Sequence, residues 1–265
     1  MNSRAQIIAT INGSSEDPEI FKSMVTSGLD IARLNFSWGD FDEKNRVINV
    51  IRETEENLNR KILIMADLPG PRVQNGNSHT YDKNFDSAIT DNDKEIIKFS
   101  IDKNIDFIAL SFVGSANDVV VCKDFIKSCG GEQRVVSKIE RKSAVDNIDE
   151  IIKVSDAIMI ARGDLGNEFR IEEIPFIESE IIKKCKLVSK PVIVATQMLL
   201  SMTENIEPTR AEVTDVSFAI TQGADAVMLS EETAIGKHPL EVVSVMEKIV
   251  SESENHMKSE VNLLK

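Results

Sequence analysis

The sequence predicts a barrel of eight alternating strands and helices, a (β/α)₈ fold of the α/β class. The chain has 265 residues, 42% of them hydrophobic, which is enough for one large core. Short β-branched runs recur along it, and amphipathic helical patterns separate them. The runs are continuously apolar rather than alternating, as expected for parallel strands that are covered on both faces. Eight strand–helix units in this length favour a closed barrel.

The predicted strands are short, rich in aliphatic residues and followed by polar loops. In chain order they are Gln6–Ile11, Ile31–Ser37, Ile62–Leu68, Phe107–Val113, Arg134–Glu140, Ala157–Ala161, Pro191–Gln197 and Ala226–Ser230. A doubly wound sheet is the alternative, and it normally opens with a glycine-rich phosphate turn after the first strand. Here that strand leads into Asn12-Gly13-Ser14-Ser15, which lacks the G-x-G-x-x-G spacing. The barrel is therefore favoured.

Amphipathic patterns predict helices between the strands. Three clear examples are Phe41–Asn59, Ile171–Val188 and Pro239–Glu254. Between the third and fourth strands, Gln74–Asp86 is polar and aperiodic and predicts a loop, before a helix that begins near Thr90. The tail Ser251–Lys265 is predicted to continue the last helix. We interpret residues 1–265 as a single barrel domain.

The charge and the cysteine content limit the classes of function. The formal net charge is −13 and the sequence pI is about 4.8, so nucleic acid and anionic membranes are not expected partners. An anionic small molecule is not excluded, because a local cluster of cations can outweigh the global field. Cys122, Cys129 and Cys185 show no metal-ligand spacing and are typical of a reducing compartment. The N-terminus lacks the apolar segment of a signal peptide, and a cytoplasmic location is expected.

Charged and polar residues fall where the predicted strands end. In a barrel of this type the chemistry lies at the carboxyl ends of the strands. The strand-end segments are Arg33–Ser37, Asp67–Arg72, Lys138–Glu140, Arg162–Asp164, Thr196–Gln197 and Ser230–Glu232. They are expected to converge on one mouth of the barrel.

Glu140 and Asp164 close adjacent predicted strands and form a natural pair for a hard divalent cation. Two carboxylates, completed by substrate oxygens and water, suit Mg²⁺ or Mn²⁺. Lys138 leaves the same face of its strand as Glu140, two residues away, and would neutralise negative charge on a substrate oxygen or phosphoryl group. The alternative is an ion-pair network that closes the barrel mouth.

Seven segments resemble the signatures of the pyruvate kinase family, in family order and over nearly the whole chain. They are ARLNFSWG (Ala32–Gly39), DLPGP (Asp67–Pro71), SKIE (Ser137–Glu140), IMIARGDLG (Ile158–Gly166), PVIVATQMLLSM (Pro191–Met202), PTRAEVTDV (Pro208–Val216) and DAVMLSEETAIGKHP (Asp225–Pro239). The resemblance implies a (β/α)₈ barrel of the phosphoenolpyruvate/pyruvate-binding type. The family transfers phosphate from phosphoenolpyruvate to ADP.

The resemblance also implies roles for individual residues. By it, Glu140 and Asp164 hold the divalent metal and Lys138 stabilises the phosphoryl group in transfer. Arg33 reaches the phosphate, and Thr196 belongs to the machinery that protonates the enolate. Gly163 and Asp164 offer backbone N–H groups to the substrate carboxylate, and Ser230 is among the substrate-binding residues.

A monovalent-cation site is implied as well, formed by Asn35, Ser37, Asp67 and Leu68. The family carries Glu at the position of Arg72 in its potassium-dependent enzymes and Lys in its potassium-independent ones. Arg72 is therefore interpreted as a substitute for the cation, and no K⁺ requirement is expected.

The departures from the family pattern fall on the nucleotide side of the site. The family inserts a lid domain after the third strand, whereas the loop Gln74–Asp86 is all that is present here. Several family residues are also replaced; the residues found here are Asn12 and Gly13, Trp38, Gln74, Gly114 and Glu231. Trp38 could stack on a substrate or cover apolar surface. The family's C-terminal domain, with its effector site, is expected to be absent, and the protein is a possible homo-oligomer.

Three functions remain open at this stage. The first is Mg²⁺-dependent chemistry on a phosphoenolpyruvate- or pyruvate-like 2-oxo acid enolate, with efficient ADP phosphorylation in doubt. The second is true pyruvate kinase activity without a lid, and the third is a non-catalytic ligand-binding or regulatory role. The first is favoured because the metal, lysine and threonine positions match the family while the nucleotide side does not.

Overall fold

A computed structural model describes residues 3–75, 78–82 and 89–262 of the chain. Eight parallel strands close into a barrel in the order β1-β10-β9-β8-β7-β6-β3-β2, and β4 and β5 form a separate two-stranded sheet. The strands are β1 (Gln6–Thr10), β2 (Leu29–Asn35), β3 (Leu63–Asp67), β4 (Arg72–Asn75), β5 (Ser78–Tyr81), β6 (Phe107–Leu110), β7 (Arg134–Ile139), β8 (Ala157–Ala161), β9 (Val192–Ala195) and β10 (Ala226–Leu229). The predicted fold class is confirmed.

Helices follow the barrel strands, as the periodicity predicts. They are α1 (Pro18–Thr26), α2 (Phe41–Leu58), α3 (Asp91–Asp102), α4 (Ala116–Ser128), α5 (Lys142–Asp146), α6 (Ile148–Val154), α7 (Arg162–Leu165), α8 (Ile174–Leu187), α9 (Arg210–Gln222), α10 (Glu231–Ala234) and α11 (Pro239–Asn262). Short 3₁₀ turns occur at Gly13–Glu16, Ile171–Glu173 and Leu200–Thr203. No helix of the described ranges is both long and apolar enough to cross a membrane.

The barrel strands are buried because their side chains are apolar on both faces. All five residues of β8 are buried, as are all four residues of β9 and of β10. This is the burial pattern that continuously apolar runs predict.

The described residues divide into two compact units. One comprises residues 3–33, 45–63 and 191–262, and the other comprises residues 34–44 and 64–190 within the described ranges. We refer to them as the first and second units. The carboxyl ends of β3, β6, β7 and β8 belong to the second unit. The carboxyl ends of β1, β9 and β10 belong to the first unit.

A buried carboxylate fixes the loop that follows β3. Asp93, in the first turn of α3, accepts hydrogen bonds from the backbone and hydroxyl of Thr90 at 2.8 Å each, and Thr90 Oγ1 accepts from the Asp93 N–H at 3.0 Å. This reciprocal arrangement is a capping box. The other oxygen of Asp93 accepts from the N–H of Gly70 at 3.1 Å. One side chain therefore both starts α3 and holds the segment that leads into β4.

The segment predicted as a loop at Gln74–Asp86 contains part of a β-hairpin. Strands β4 and β5 pair antiparallel, with Arg72 opposite Tyr81 and Asn75 opposite Ser78. Residues 76–77 and 83–86 lie outside the described residues. The ladder is short and polar, so hydrophobic alternation gives no sign of it in the sequence.

Candidate active site

Lys138 lies at the centre of a buried polar cluster in the second unit. It is the fifth residue of β7, and its Nζ atom donates to Oδ1 of Asp67 at 3.0 Å and to Oγ of Ser111 at 2.7 Å. The same atom lies 2.9 Å from Oε1 of Glu140. These groups come from the ends of β3, β6 and β7, which neighbour one another in the barrel. Three adjacent strand ends therefore supply all the groups that surround the Lys138 ammonium.

The carboxylate of Glu140 is held in an unfavourable environment for a negative charge. The residue is 2% exposed, and its Oε2 accepts from the backbone N–H of Phe112 at 2.5 Å. Burial raises the pKa of Glu140, and repulsion from Asp164 raises it further, whereas the nearby Lys138 ammonium lowers it. Two carboxylates that repel one another across a site are a suitable environment for a divalent cation.

The residues present fit a hard divalent cation of the kind that the sequence predicts. Glu140 and Asp164 offer oxygen ligands, and Mg²⁺ usually completes its coordination with water and substrate oxygens rather than with protein groups alone. Among the described residues, no group of three or more His, Cys, Asp and Glu side chains could hold a metal by itself. Any metal bound here would therefore depend on ligands from a substrate or solvent.

Ser111 and Phe112 belong to the cluster, although the sequence analysis did not single them out. Ser111 Oγ accepts from Lys138 and donates to the carbonyl oxygen of Leu68 at 2.7 Å. Phe112 has a φ of +53°, which is a strained conformation for a bulky residue and is typical of functional sites. This conformation points its N–H at Glu140. The sequence signal that could have identified these two residues is their position directly after the end of β6.

Arg72 brings a positive charge into the same group of carboxylates. Its guanidinium is attracted by Asp67, Asp164, Asp93 and Glu140. Burial lowers the pKa of Arg72 and these acids oppose the shift. Its Nη1 donates to Ser37 Oγ at 2.8 Å, and the Ser37 N–H in turn donates to Oδ1 of Asn35 at 3.0 Å. Arg72 thus contacts residues that the sequence analysis grouped around a monovalent cation.

The side chain of Arg141 occupies space that the absence of a side chain at Gly114 leaves open. A Cβ atom added at Gly114 would lie 2.0 Å from Nη2 of Arg141. The Arg141 guanidinium stacks 3.9 Å from the ring centroid of Tyr81, and Tyr81 lies 5.7 Å from the ring of Phe112, centroid to centroid. Nη2 is 3.9 Å from Oδ2 of Asp118. Gly114 therefore permits the cation–π contact that attaches β5 to the rest of the second unit.

Arg33 lies in the first unit, at the end of β2. Its Nη1 donates to Oγ1 of Thr10 at 2.7 Å, and Thr10 Oγ1 donates to the carbonyl oxygen of Leu229 at 3.0 Å. Arg33 is 9% exposed, so the guanidinium is held by the neighbouring strand rather than by solvent. The strand ends of β1, β2 and β10 thus fix its position.

Thr196 and Ser230 follow β9 and β10 in the same unit, and both show signs of a specialised role. Thr196 has a φ of +73°, which is a genuine outlier for a β-branched residue. The hydroxyl oxygen of Ser230 is buried and has no hydrogen-bond partner in the described part of the chain. Backbone strain and orphaned buried polar atoms tend to occur at ligand sites.

Glu231 and Glu232 have opposite environments. Glu232 is fully buried, and its two oxygens accept from the N–H groups of Leu199 at 3.1 Å and Ser230 at 2.7 Å. Burial raises the pKa of Glu232. Glu231 is exposed. Glu232 therefore fixes the local backbone, whereas Glu231 adds a solvent-facing negative charge.

The fold and the second-unit cluster together define a class of protein. It is a (β/α)₈ barrel with a buried lysine and paired carboxylates at its strand ends, the usual location of catalytic groups in this fold. Residues 2–87 and 84–243 match the family model described as "Pyruvate kinase, barrel domain". The chain belongs to the pyruvate kinase family, which is a family of transferases.

Curated relatives agree with this assignment. The chain is 37% identical to a pyruvate kinase of Thermococcus litoralis, in a match that covers 97% of this chain and 71% of the relative. It is 35% identical to a pyruvate kinase of Thermotoga maritima, with 96% and 72% covered, and 35% identical to one of Bacillus licheniformis, with 96% and 58% covered. The first match extends over 336 residues, more than the 265 of this chain. That relative therefore contains residues, within the matched stretch, that have no counterpart here.

Proposed function

We propose that the protein is a Mg²⁺-dependent enzyme that acts on a phosphoenolpyruvate- or pyruvate-like 2-oxo acid through its enolate. The observation that carries the proposal is the arrangement of Lys138, which is hydrogen-bonded to Asp67 and within 2.9 Å of Glu140. A buried ammonium beside two repelling carboxylates, Glu140 and Asp164, is suited to stabilising an anionic oxygen.

The metal would be held by Glu140 and Asp164. When bound, a divalent cation supplies positive charge against the enolate oxygen. Lys138 provides a second, fixed positive charge, because Asp67 and Ser111 orient its ammonium group. Water is largely excluded from Lys138, which is 8% exposed, and its charge acts more strongly in such surroundings than in bulk solvent.

We assign the remaining substrate contacts by the family pattern. Arg33 is proposed to meet a phosphate or carboxylate, and the N–H groups of Gly163 and Asp164 a substrate carboxylate. Thr196 is proposed to assist proton delivery to the enolate carbon, with Ser230 as a further polar contact. The strain at Thr196 and the unpaired hydroxyl of Ser230 among the described residues support these two assignments.

Arg72 is proposed to replace the monovalent cation. Its guanidinium contacts Ser37 and interacts with Asp67, Glu140 and Asp164. A K⁺ ion in this position would carry the same charge but could dissociate, whereas Arg72 is covalently attached. We therefore propose that the enzyme requires Mg²⁺ but not K⁺.

Transfer of phosphate to ADP is the part of the family reaction that this chain supports least. Glu231 adds an exposed negative charge, and Gly114 and Gln74 replace basic residues of the family pattern. The segment between β5 and α3 is short, and the two pieces of the family match meet at residues 84–87. This is where we propose that a lid domain is missing. A lid normally excludes water and completes the phosphate site.

True pyruvate kinase activity remains the second candidate, because the matched relatives carry that name. One assay separates the two functions. Purified protein is incubated with phosphoenolpyruvate and Mg²⁺, with and without ADP, and pyruvate formation is measured. The same preparation is tested for ³H exchange from tritiated water into pyruvate. Exchange of ³H into pyruvate without ADP-dependent pyruvate formation supports enolate chemistry in which a compound other than ADP is the second substrate. ADP-dependent turnover at an enzymatic rate identifies a pyruvate kinase, and absence of both activities contradicts both candidates.

A further inference from the structure

The guanidinium of Arg141 is a largely buried positive charge without a hydrogen-bonded counter-ion among the described residues. Its side chain is 17% exposed, and its Nη2 atom lies 3.9 Å from Oδ2 of Asp118, which is beyond hydrogen-bond distance. Its Nε atom is buried and has no hydrogen-bond partner within the described ranges. Burying a charge is costly unless the charge is paired and hydrogen-bonded. Arg141 therefore retains the capacity to bind an anion.

The neighbouring acid is already committed to the backbone. Oδ2 of Asp118 accepts from the N–H groups of Gly114 at 2.7 Å and of Ser115 at 2.9 Å. The same oxygen faces Arg141, so moving it towards the guanidinium would weaken the capping box that begins α4. A hydrogen-bonded anion for Arg141 must therefore come from a ligand rather than from Asp118.

The ring of Tyr81 holds the guanidinium of Arg141 in a position that suits a ligand. The guanidinium carbon lies 3.9 Å from the ring centroid. Stacking of this kind occupies a face of the guanidinium and leaves the N–H donors at its edge available for a planar anion. Because Nε is buried, an incoming ligand would meet the edge that the two Nη atoms form. The cation is therefore fixed in place before a ligand binds, which lowers the entropic cost of binding.

Arg141 lies beside the candidate active site. It follows Glu140 directly in the chain. The ring of Tyr81 lies 5.7 Å from the ring of Phe112, centroid to centroid, and the N–H of Phe112 donates to Oε2 of Glu140 at 2.5 Å. A ligand on Arg141 would therefore be a neighbour of the carboxylates to which we assign the metal.

We propose that Arg141 binds the carboxylate group of the second substrate, the compound that takes the place of ADP. The assignment of this ligand as a substrate rests on the function proposed above, whereas the binding of a carboxylate by Arg141 does not. A guanidinium and a carboxylate are both planar and pair through two parallel N–H···O bonds. One arginine is therefore enough to orient such a group.

The charges around Arg141 favour a carboxylate over a phosphate. Asp118 places a negative charge 3.9 Å from the guanidinium, and the N–H groups before α4 are already bonded to that acid. The next cation in the chain, Lys142, is paired with Asp146 at 2.7 Å. A phosphate dianion would thus meet a single positive charge beside a negative one, whereas a carboxylate carries one negative charge only.

Tyr81 provides a specific probe of this site, because it is the single tyrosine of the chain. Protein that contains 3-fluorotyrosine should give one ¹⁹F resonance, which reports on the stacked guanidinium. The resonance is followed during titration with sodium acetate, and separately with inorganic phosphate, at constant ionic strength maintained with chloride. Acetate should shift the resonance and approach saturation below about 100 mM, as expected for so small a ligand, and phosphate should bind more weakly.

Three variants test the assignment to Arg141. Arg141→Gln should raise the dissociation constant for acetate by at least about tenfold, since it removes a charged hydrogen-bond donor. Arg141→Lys keeps the charge but lacks the planar fork, so its affinity should be intermediate. Arg134→Gln is the matched control, because Arg134 is exposed and also stacks on an aromatic ring, that of Phe107 at 4.0 Å, but at the opposite end of β7. The control should leave acetate binding unchanged.

A further titration separates the second substrate from the first. Acetate is added in the presence of Mg²⁺ and phosphoenolpyruvate, at a concentration that calorimetry shows to be saturating. The acetate-dependent shift should persist, because the carboxylate of phosphoenolpyruvate is assigned to the N–H groups of Gly163 and Asp164. Loss of the shift would mean that the two compounds compete for Arg141, and it would overturn the proposal.

The proposal is also overturned if acetate leaves the resonance of the unmodified protein in place, or if phosphate binds more tightly than acetate. Equal affinity of Arg141→Gln and the unmodified protein for acetate would overturn it as well. The first two results need no variant, so they decide the matter even if a substitution prevents folding. If calorimetry detects no binding of phosphoenolpyruvate, the proposed function fails while the acetate titration still reports on Arg141.

Discussion

The ammonium group of Lys138 lies 3.0 Å from the carboxylate of Asp67, and both side chains are almost fully buried. Glu140 is a second carboxylate within 2.9 Å of the same ammonium. Removing one partner of a buried ion pair leaves the other charge without compensation, which costs more than the pair itself contributes. Lys138 therefore has a structural role, in addition to the catalytic role that we propose for it.

Replacing Lys138 should affect activity and stability together. Lys138→Met is expected to lower turnover by about 10²–10³-fold or more, as the loss of a fixed charge at a reacting oxygen does. It should also lower the free energy of unfolding by about 3 kcal/mol, since two buried carboxylates lose their counter-charge. Chemical denaturation and steady-state kinetics measure the two effects. Adding Glu140→Gln to Lys138→Met should restore part of the stability but no activity. Unchanged turnover in Lys138→Met would remove the residue from the mechanism.

Arg72 should make the activity independent of K⁺. Its guanidinium donates to Ser37 at 2.8 Å and faces several carboxylates. Arg72 therefore already supplies the positive charge that a bound K⁺ would bring to these carboxylates. Replacing K⁺ by tetramethylammonium should change the rate by less than about twofold, whereas Arg72→Ala should be activated severalfold by K⁺. The measurement is initial rate against K⁺ concentration at constant ionic strength. Strong activation of the unmodified enzyme by K⁺ would contradict the role assigned to Arg72.

The fold could be predicted from the sequence because its signal is repeated eight times. Each barrel strand is an apolar run covered on both faces, and each prediction overlaps the observed strand. The predicted ends differ from the observed ones by up to three residues, as with Phe107–Val113 against Phe107–Leu110. The hairpin of β4 and β5 was not predicted, since its ladder is short and polar and shows no hydrophobic alternation.

The charged members of the site were predictable, but its supporting contacts were not. Lys138 and Glu140 stand two residues apart at a strand end, and that spacing alone places them together. The contacts of Ser111 and Phe112 depend on the path of the chain after β6, where Phe112 adopts a positive φ. Likewise, the guanidinium of Arg141 lies directly beside Gly114, a residue that is distant from it in the sequence. Such relationships become visible only in three dimensions.

The raised pKa of Glu140 predicts an effect of pH on stability. Its pKa lies above the ordinary value of 4.5, mainly because the carboxyl is buried. The folded state therefore binds the proton more tightly than the unfolded state, and stability falls as the pH rises from about 4.5 through the folded-state pKa. In Glu140→Gln the side chain cannot ionise, and Asp67 still pairs with the Lys138 ammonium at 3.0 Å, so the variant should be the more stable protein above this window. A gain on the order of 1 kcal/mol would raise Tm by a few degrees. The difference should disappear below about pH 4.5, and an equal difference at all pH values would contradict the explanation.

Gly114 and Arg141 should be coupled energetically. In Gly114→Ala the new Cβ atom would lie 2.0 Å from Nη2 of Arg141, so the guanidinium must move away from the ring of Tyr81. The loss of that contact should cost about 1 kcal/mol and should speed hydrogen exchange at the amides of the β4–β5 ladder. Arg141→Ala should have a similar effect on exchange, because it removes the same contact. In the Arg141→Ala background, Gly114→Ala should cost little more, and a double-mutant cycle of unfolding free energies measures this coupling. Fully additive effects would mean that Arg141 is not the group displaced, and that another neighbour, such as Ser143 at 3.0 Å from the added atom, sets the requirement for glycine.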